Sequence, residues 1–249
     1  DDEIMDRVAQ NIAQYEDGKT VLPNFCAHLK DEPVSFKKAK MKKTRVFTGA
    51  ALDWSIVVRK YCLSFIRVIQ NERYTFEAAP GTVAQSLEWQ EMYEYLSQHG
   101  TSRMVAGDYK SFDKKMPPQV ILAAFDILIS LAKASGNYSD LDIKVLKGIA
   151  LDTAFPLVDF NGELIQFFGS NPSGHPLTVI INSLVNSLYI RYAYYVTNPS
   201  KEIATFKRNV ALITYGDDNA MGVSKDAPFF HHTSIQKALA DIGIVYTMA

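Results

Sequence analysis

An α+β fold is predicted, an antiparallel sheet backed by helices, and three observations predict it. The stretch VALITYGDDNAMGV (210–223) has the form strand, tight turn, strand. VDFNGELIQFFGS (158–170) sets an Asn161–Gly162 pair between two strand-like runs, a strong hairpin signal. The helical patterns between them do not alternate strictly with strands, as a doubly wound parallel sheet would require.

Taken in order, Asp1–Gln14 carries Ile4, Val8 and Ile12 at helical spacing and runs into the polar turn YEDGKT. LKDEPVSFKKAKMKKTRVFTGA follows, with Lys37, Lys38, Lys40, Lys42, Lys43 and Arg45 crowded before Val46 and Phe47. Such a run reads as a solvated loop or strand edge. Leu52–Ile69 is densely apolar with Arg59, Lys60 and Arg67 interspersed, as on an amphipathic helix. Gly81 breaks the chain, and Val83–Leu96 is again helical in spacing. Arg103–Ala106 is a short strand leading into Gly107 and Asp108. Pro117–Ala134 is a helix with prolines in its first turn, and Leu141–Ala154 is a second. The hairpin at Asn161–Gly162 reads as a projecting element. Leu177–Tyr195 is long and poor in charge, so it is expected to be buried, with Tyr189, Tyr192, Tyr194 and Tyr195 in the core. After the 210–223 hairpin come an amphipathic helix, His232–Ile242, and a strand from Ile244 to Met248.

The chain has 249 residues, enough for one large core or two closely packed ones. Apolar residues make up 47% and charged residues 21%, which excludes disordered, collagen-like and disulfide-scaffold classes. Net charge is −1, so any nucleic-acid surface must be local. Cys26 and Cys62 show no CxxC spacing, which speaks against a cysteine zinc site and for a reducing compartment. No uninterrupted apolar run of membrane-spanning length is evident, and the acidic start is unlike a signal peptide. A start without methionine and an end inside a strand pattern read as a piece of a longer polypeptide.

The chemistry is concentrated in two acidic clusters, GDYKSFD (107–113) and YGDD (215–218), each where a strand meets a turn. Adjacent aspartates at a hairpin tip repel unless a cation lies between them. Magnesium prefers hard oxygen ligands, takes few carboxylates and leaves its other positions to water and phosphate. Asp108 brought beside Asp217 and Asp218 would make a cage for two ions of the kind used in in-line phosphoryl displacement. Turn chemistry alone is the competing reading, because Asp stabilises turns through its own side chain.

In ordered succession the chain carries KDEPVSFKKAKMKKTR, DYKSFD, PSGHPLTVIIN, YGDD and IQKALADIGIVYT. These resemble motifs F, A, B and C and the start of motif D of the RNA-dependent RNA polymerases of positive-strand, picorna-like viruses, over about Lys30 to the end. The resemblance implies a right-hand polymerase palm with inserted fingers segments and no thumb. On that scheme, residues 1–107 are fingers including motif F, 108–135 palm, 136–170 a fingers insertion and 171–249 palm.

It further implies template-directed RNA synthesis from nucleoside triphosphates for viral genome replication, a nucleotidyltransferase activity with two Mg2+ or Mn2+ ions. Asp108, Asp217 and Asp218 would be catalytic and metal-binding, Tyr215 and Gly216 completing their motif. Asp113 and Asn182 would read the ribose 2′-hydroxyl. Ser173 and Gly174 match the flexible motif B loop and Thr178 its hydroxyl partner, with a helix cap as the lesser reading of Ser173. Lys38, Lys43 and Arg45 would meet the triphosphate. Lys42 stands where the family has a glycine and Pro33 where it has a leucine, so loop geometry is expected to differ. The motif D lysine, motif E and thumb are absent from this sequence. His175, His231 and His232 receive no role.

The implied partners are an RNA template and primer, nucleoside triphosphates and other viral replication proteins. The implied location is the host-cell cytoplasm at a membrane-associated replication complex. Two other functions stay open: a reverse transcriptase, disfavoured by Asp113 with Asn182, and a catalytically incomplete RNA-binding or replication-scaffold fragment.

Overall fold

The computed structural model describes residues 1–248; the last residue of the expected 171–249 segment lies outside them. In chain order the elements are α1 (Asp2–Glu16), β1 (Asn24–Leu29), α2 (Phe36–Lys40), β2 (Val46–Gly49), α3 (Leu52–Asn71), α4 (Arg73–Phe76) and α5 (Glu88–Ser97). They continue as β3 (Met104–Tyr109), α6 (Phe112–Lys115), α7 (Pro118–Ser135), α8 (Asp140–Ala154), β4 (Leu157–Phe160), β5 (Glu163–Gln166) and α9 (Thr178–Thr197). A single 3-10 turn then precedes α10 (Phe206–Asn209), β6 (Val210–Tyr215), β7 (Asp218–Val223), α11 (His232–Ala240) and β8 (Tyr246–Met248).

The chain divides into two compact units, each discontinuous in sequence: 1–64 with 116–178, and 65–115 with 179–249. Their cuts fall inside α3, after α6 and after the first residue of α9, whereas the sequence reading set its segment boundaries at 107/108, 135/136 and 170/171.

The first unit holds a four-stranded sheet in the order β2-β1-β4-β5. Its pairs are antiparallel except β1 with β4, which run parallel. The β4–β5 hairpin turns on Asn161 and Gly162, both at positive φ, the conformation that made the Asn–Gly pair legible. Tyr15 donates from its hydroxyl to buried Asp152 across 2.7 Å and accepts from the Trp54 indole across 2.7 Å, tying α1, α3 and α8 together. Ser139 and Asp142 form a capping box that starts α8.

Helix α7 is the one helix among the described residues to which the membrane question applies. By length and composition alone it is apolar enough to cross a bilayer. Its stripe of Ile121, Ala124, Phe125, Leu128 and Ile129 is buried and the helix packs on α8, as the core helix of a globular unit does. In the same unit, the basic run is helical at Phe36–Lys40 instead of a loop, because Ser35 caps it by accepting from the Lys38 N–H.

The second unit is built on a fully antiparallel sheet, β6-β7-β3-β8. Tyr189 and Tyr194 of α9 are buried as expected, but Tyr192 and Tyr195, three apart on another face of the helix, are 37% and 46% exposed. Helix α5 begins at Glu88, five residues later than the spacing predicts. The Glu88 carboxylate accepts from the Val83 N–H at 2.8 Å and pairs with Arg73, which holds the preceding residues in a turn. His231 caps α11 in a reciprocal pair with Ser234, so its task is structural. Cys26 and Cys62 are both free thiols.

Candidate active site

The acidic turn is a two-residue connection between β6 and β7, with Tyr215 paired to Asp218 across it. Gly216 occupies its first position at φ 61°, a left-handed conformation open to glycine without cost. Tyr215, Asp217 and Asp218 are exposed. On the other side of β7, β3 pairs antiparallel, with Gly107 opposite Asn219. Asp108 follows Gly107 on β3, near enough to Asp218 of β7 for its charge to act on that carboxyl. The Asp108 carboxylate also accepts from the Tyr109 N–H at 2.7 Å.

The electrostatics follow from this placement. Partial burial pushes the Asp218 carboxyl above the usual carboxylate range, and the negative charges of Asp217 and Asp108 push it in the same direction. Among the described residues, no three histidine, cysteine or carboxylate groups close on one point tightly enough to hold a metal by themselves. Exposed hard-oxygen donors whose mutual repulsion a cation would relieve nevertheless fit an ion that draws most of its ligands from water and phosphate.

Beneath the turn lies a polar network that sequence reasoning missed. Asn186 of α9 is fully buried, and its Nδ2 donates to the carbonyls of Gly216, Asp217 and Asp218 at 3.1, 2.9 and 3.1 Å. Ser183, one helical turn earlier, accepts the Gly216 N–H at 2.9 Å. The Asn186 carbonyl accepts from the Tyr109 hydroxyl at 3.0 Å and from Asn219 at 3.3 Å; Asn219 in turn accepts from Tyr246 at 2.7 Å. The available signal was the run Asn182, Ser183, Asn186, Ser187 in a helix otherwise read as apolar, because buried polar side chains require partners.

Asp113 and Asn182 are brought together as the sequence reading paired them: the Asn182 amide donates to the Asp113 carboxylate at 2.5 Å. The chain reaches that position through Ser111 at φ 60°, which turns it from β3 into α6. Buried Phe112 then anchors α6 against Tyr109 and Tyr189.

The remaining expected residues belong to the first unit. Ser173 does not cap α9; it exchanges two hydrogen bonds with Thr48, its hydroxyl accepting from the Thr48 N–H and its own N–H donating to the Thr48 hydroxyl, each at 3.1 Å. Gly174 is required by crowding and not by an unusual φ, because a Cβ there would lie 2.3 Å from the Thr48 carbonyl oxygen. Thr178 donates its hydroxyl to the carbonyls of Pro172 and His175. His175 is a buried core residue, with Nδ1 accepting from the Leu177 N–H and Nε2 bonded to the Thr153 hydroxyl. Burial pushes its pKa down to about 3, so the ring stays neutral. Lys38 and Lys43 are exposed, and Arg45 makes a loose pair with Glu32 at 3.7 Å. Lys42, which stands where the resemblance has a glycine, adopts φ 51°, a left-handed conformation that glycine takes without cost.

A family model described as viral RNA-dependent RNA polymerase matches residues 1–249. This chain belongs to that family. Its relatives in the viral RNA-dependent RNA polymerase family include the replicase polyprotein of Drosophila C virus (strain EB), 30% identical over 96% of this chain and 14% of the polyprotein. The RNA1 polyprotein of Cherry rasp leaf virus is 35% identical over 86% of this chain and 10% of the polyprotein. The chain thus spans a small fraction of these relatives. A solved structure described as Sicinivirus 3Dpol RNA dependent RNA polymerase superposes with a TM-score of 0.82 at 19% identity, covering 99% of this chain and 48% of that one. The likeness shows the polymerase fold, with its antiparallel sheet and helices, and the expected kinship with picorna-like viruses holds.

Proposed function

We propose that the protein carrying this chain is an RNA-dependent RNA polymerase that transfers nucleotidyl groups from nucleoside triphosphates to a primer 3′-hydroxyl on an RNA template. The observation that carries the reading is the adjacency of β3 to the β6–β7 turn, which gathers Asp108, Asp217 and Asp218 and raises the Asp218 carboxyl. Asp108 and Asp217 are assigned as ligands of Mg2+ or Mn2+, with Asp218 supporting. When bound, a pair of such ions supplies charge neutralisation and a more acidic primer hydroxyl. The protein's own part is to hold the three carboxylates where the ions and the triphosphate can meet.

Asp113 and Asn182 are assigned to the ribose 2′-hydroxyl, a group that both donates and accepts and so suits a carboxylate beside an amide. Lys38, Lys43 and Arg45 are assigned to the triphosphate, with Ser173, Gly174 and Thr178 shaping the nucleotide-binding loop. The polyprotein nature of the relatives supports action alongside other viral replication proteins. Family likeness supports the host cytoplasm, at a membrane-associated replication complex.

The test is Mg2+-dependent ribonucleotide incorporation on a primed RNA template by the polymerase containing this chain, with Asp217→Asn as control. Incorporation that the substitution abolishes supports the assignment. A folded, metal-supplied wild type that extends nothing overturns it.

A further inference from the structure

We infer that Asn186 is a positioning residue that sets the separation of the three carboxylates; the inference rests on the polymerase reading of that site. One buried amide touches both strands that carry acids. Its Nδ2 gathers the three consecutive carbonyls of Gly216, Asp217 and Asp218, and its Oδ1 takes the hydroxyl of Tyr109, the residue next to Asp108.

The geometry is overdetermined. A turn with glycine at its first position is soft in isolation, yet here its Gly216 N–H is fixed by Ser183 and its carbonyls by Asn186. Both anchors project from α9, spaced i to i+3 and therefore on one face. The amide cannot flip freely, because its oxygen is held by two donors, the Tyr109 hydroxyl and Asn219 Nδ2. Asn219 is itself held by Tyr246 of β8, the strand that pairs with the segment around Asp108. The turn carbonyls are drawn towards the buried amide, while Asp217 and Asp218 carry exposed carboxylates. The helix thus aims the acids without touching any reacting group.

Asparagine is suited to this position. Leucine has a similar volume but offers no donor to three carbonyls, and aspartate would set a second row of oxygens against them. Tyr109→Phe is a milder probe, because it keeps the ring packing and removes only the hydroxyl that orients the amide.

The experiment compares wild type, Asn186→Leu and Tyr109→Phe in the full polymerase by three readouts: Mn2+ affinity by electron paramagnetic resonance titration, nucleotide kcat and KM, and thermal midpoint. A misplaced reacting geometry predicts a fall in kcat of roughly 10- to 100-fold for Asn186→Leu with nucleotide KM little changed. Mn2+ affinity should weaken in parallel. Tyr109→Phe should move kcat and Mn2+ affinity in the same direction by less, with a thermal midpoint close to wild type.

Wild-type Mn2+ affinity in folded Asn186→Leu overturns the inference, as does activity lost only in proportion to the folded fraction. If Asn186→Leu does not fold, unchanged Mn2+ affinity and kcat in Tyr109→Phe overturn it. A wild type that binds Mn2+ but extends no primer refutes the polymerase reading, while the Mn2+ comparison still decides the role of Asn186.

Discussion

Asn182, on buried helix α9, donates its side-chain amide to the carboxylate of Asp113, on the short helix α6, across 2.5 Å. The two residues lie 69 positions apart in sequence, and only the fold makes them partners. On the proposed reading, a pair fixed in this way would meet a ribose hydroxyl at little ordering cost on binding.

Removing either member should therefore relax sugar selection more than it slows synthesis. For Asp113→Ala the preference for ribonucleotides over deoxyribonucleotides is expected to fall by roughly tenfold to a hundredfold, the worth of one hydrogen bond to a charged group. Competing incorporation of a ribonucleotide and its deoxy analogue measures the ratio directly. An undiminished ratio would remove Asp113 from sugar recognition.

The raised carboxyl of Asp218 gives a signed dependence on pH and metal. Its folded pKa lies above its unfolded one, so the folded state holds the proton more tightly. The stabilising contribution of Asp218 is therefore present below the ordinary carboxylate pKa and lost as pH rises through the raised value. At neutral pH the ionised turn opposes folding, and on the proposed reading a bound divalent cation would relieve it. Mg2+ is expected to raise the thermal midpoint at pH 7, and the rise should shrink as pH falls into the carboxylate range. Asp218→Asn should raise the metal-free midpoint slightly and take away much of the Mg2+ effect, as scanning fluorimetry can follow. Equal Mg2+ shifts in both proteins would contradict the placement.

Lys42 stores a small strain. A side chain in the left-handed region costs about 1–2 kcal/mol relative to the ordinary conformation, and Lys42 sits at φ 51°. Lys42→Gly should stabilise the protein by up to about 1 kcal/mol, because glycine's greater freedom in the unfolded chain offsets part of the relief. Denaturant titration would measure it, and a loss of stability would show that the lysine side chain holds this loop by contacts.

Local pattern carried much of the design. The Asn161–Gly162 hairpin, the Gly216–Asp217 turn, the helical spacing of α1, α3, α8 and α9 and the ordered acidic motifs could all be read directly, because each depends on neighbours a few residues apart. Where the reading fell short, a distant or side-chain partner decided the outcome. Glu88 bonds back to Val83 and delays α5; Ser173 leaves the role of helix cap for Thr48 on β2; Gly174 answers to the Thr48 carbonyl and not to its own φ. The two exposed tyrosines of α9 were misjudged because composition shows that a helix is buried but not on which faces.

The sequence by itself determined the chemistry available to this protein: three aspartates at strand–turn junctions, an aspartate and an asparagine suited to a ribose, and a basic run, in the order of the viral polymerase motifs. Only the tertiary structure decided that β3 would pair with β7 and bring the charge of Asp108 to bear on Asp218, that Asp113 would hold Asn182, and that Asn186 would bind three turn carbonyls at once. The physical reason is range. Turn and helix signals act through backbone geometry over a few residues, whereas a buried polar atom must find its partner wherever packing brings one, at any separation along the chain.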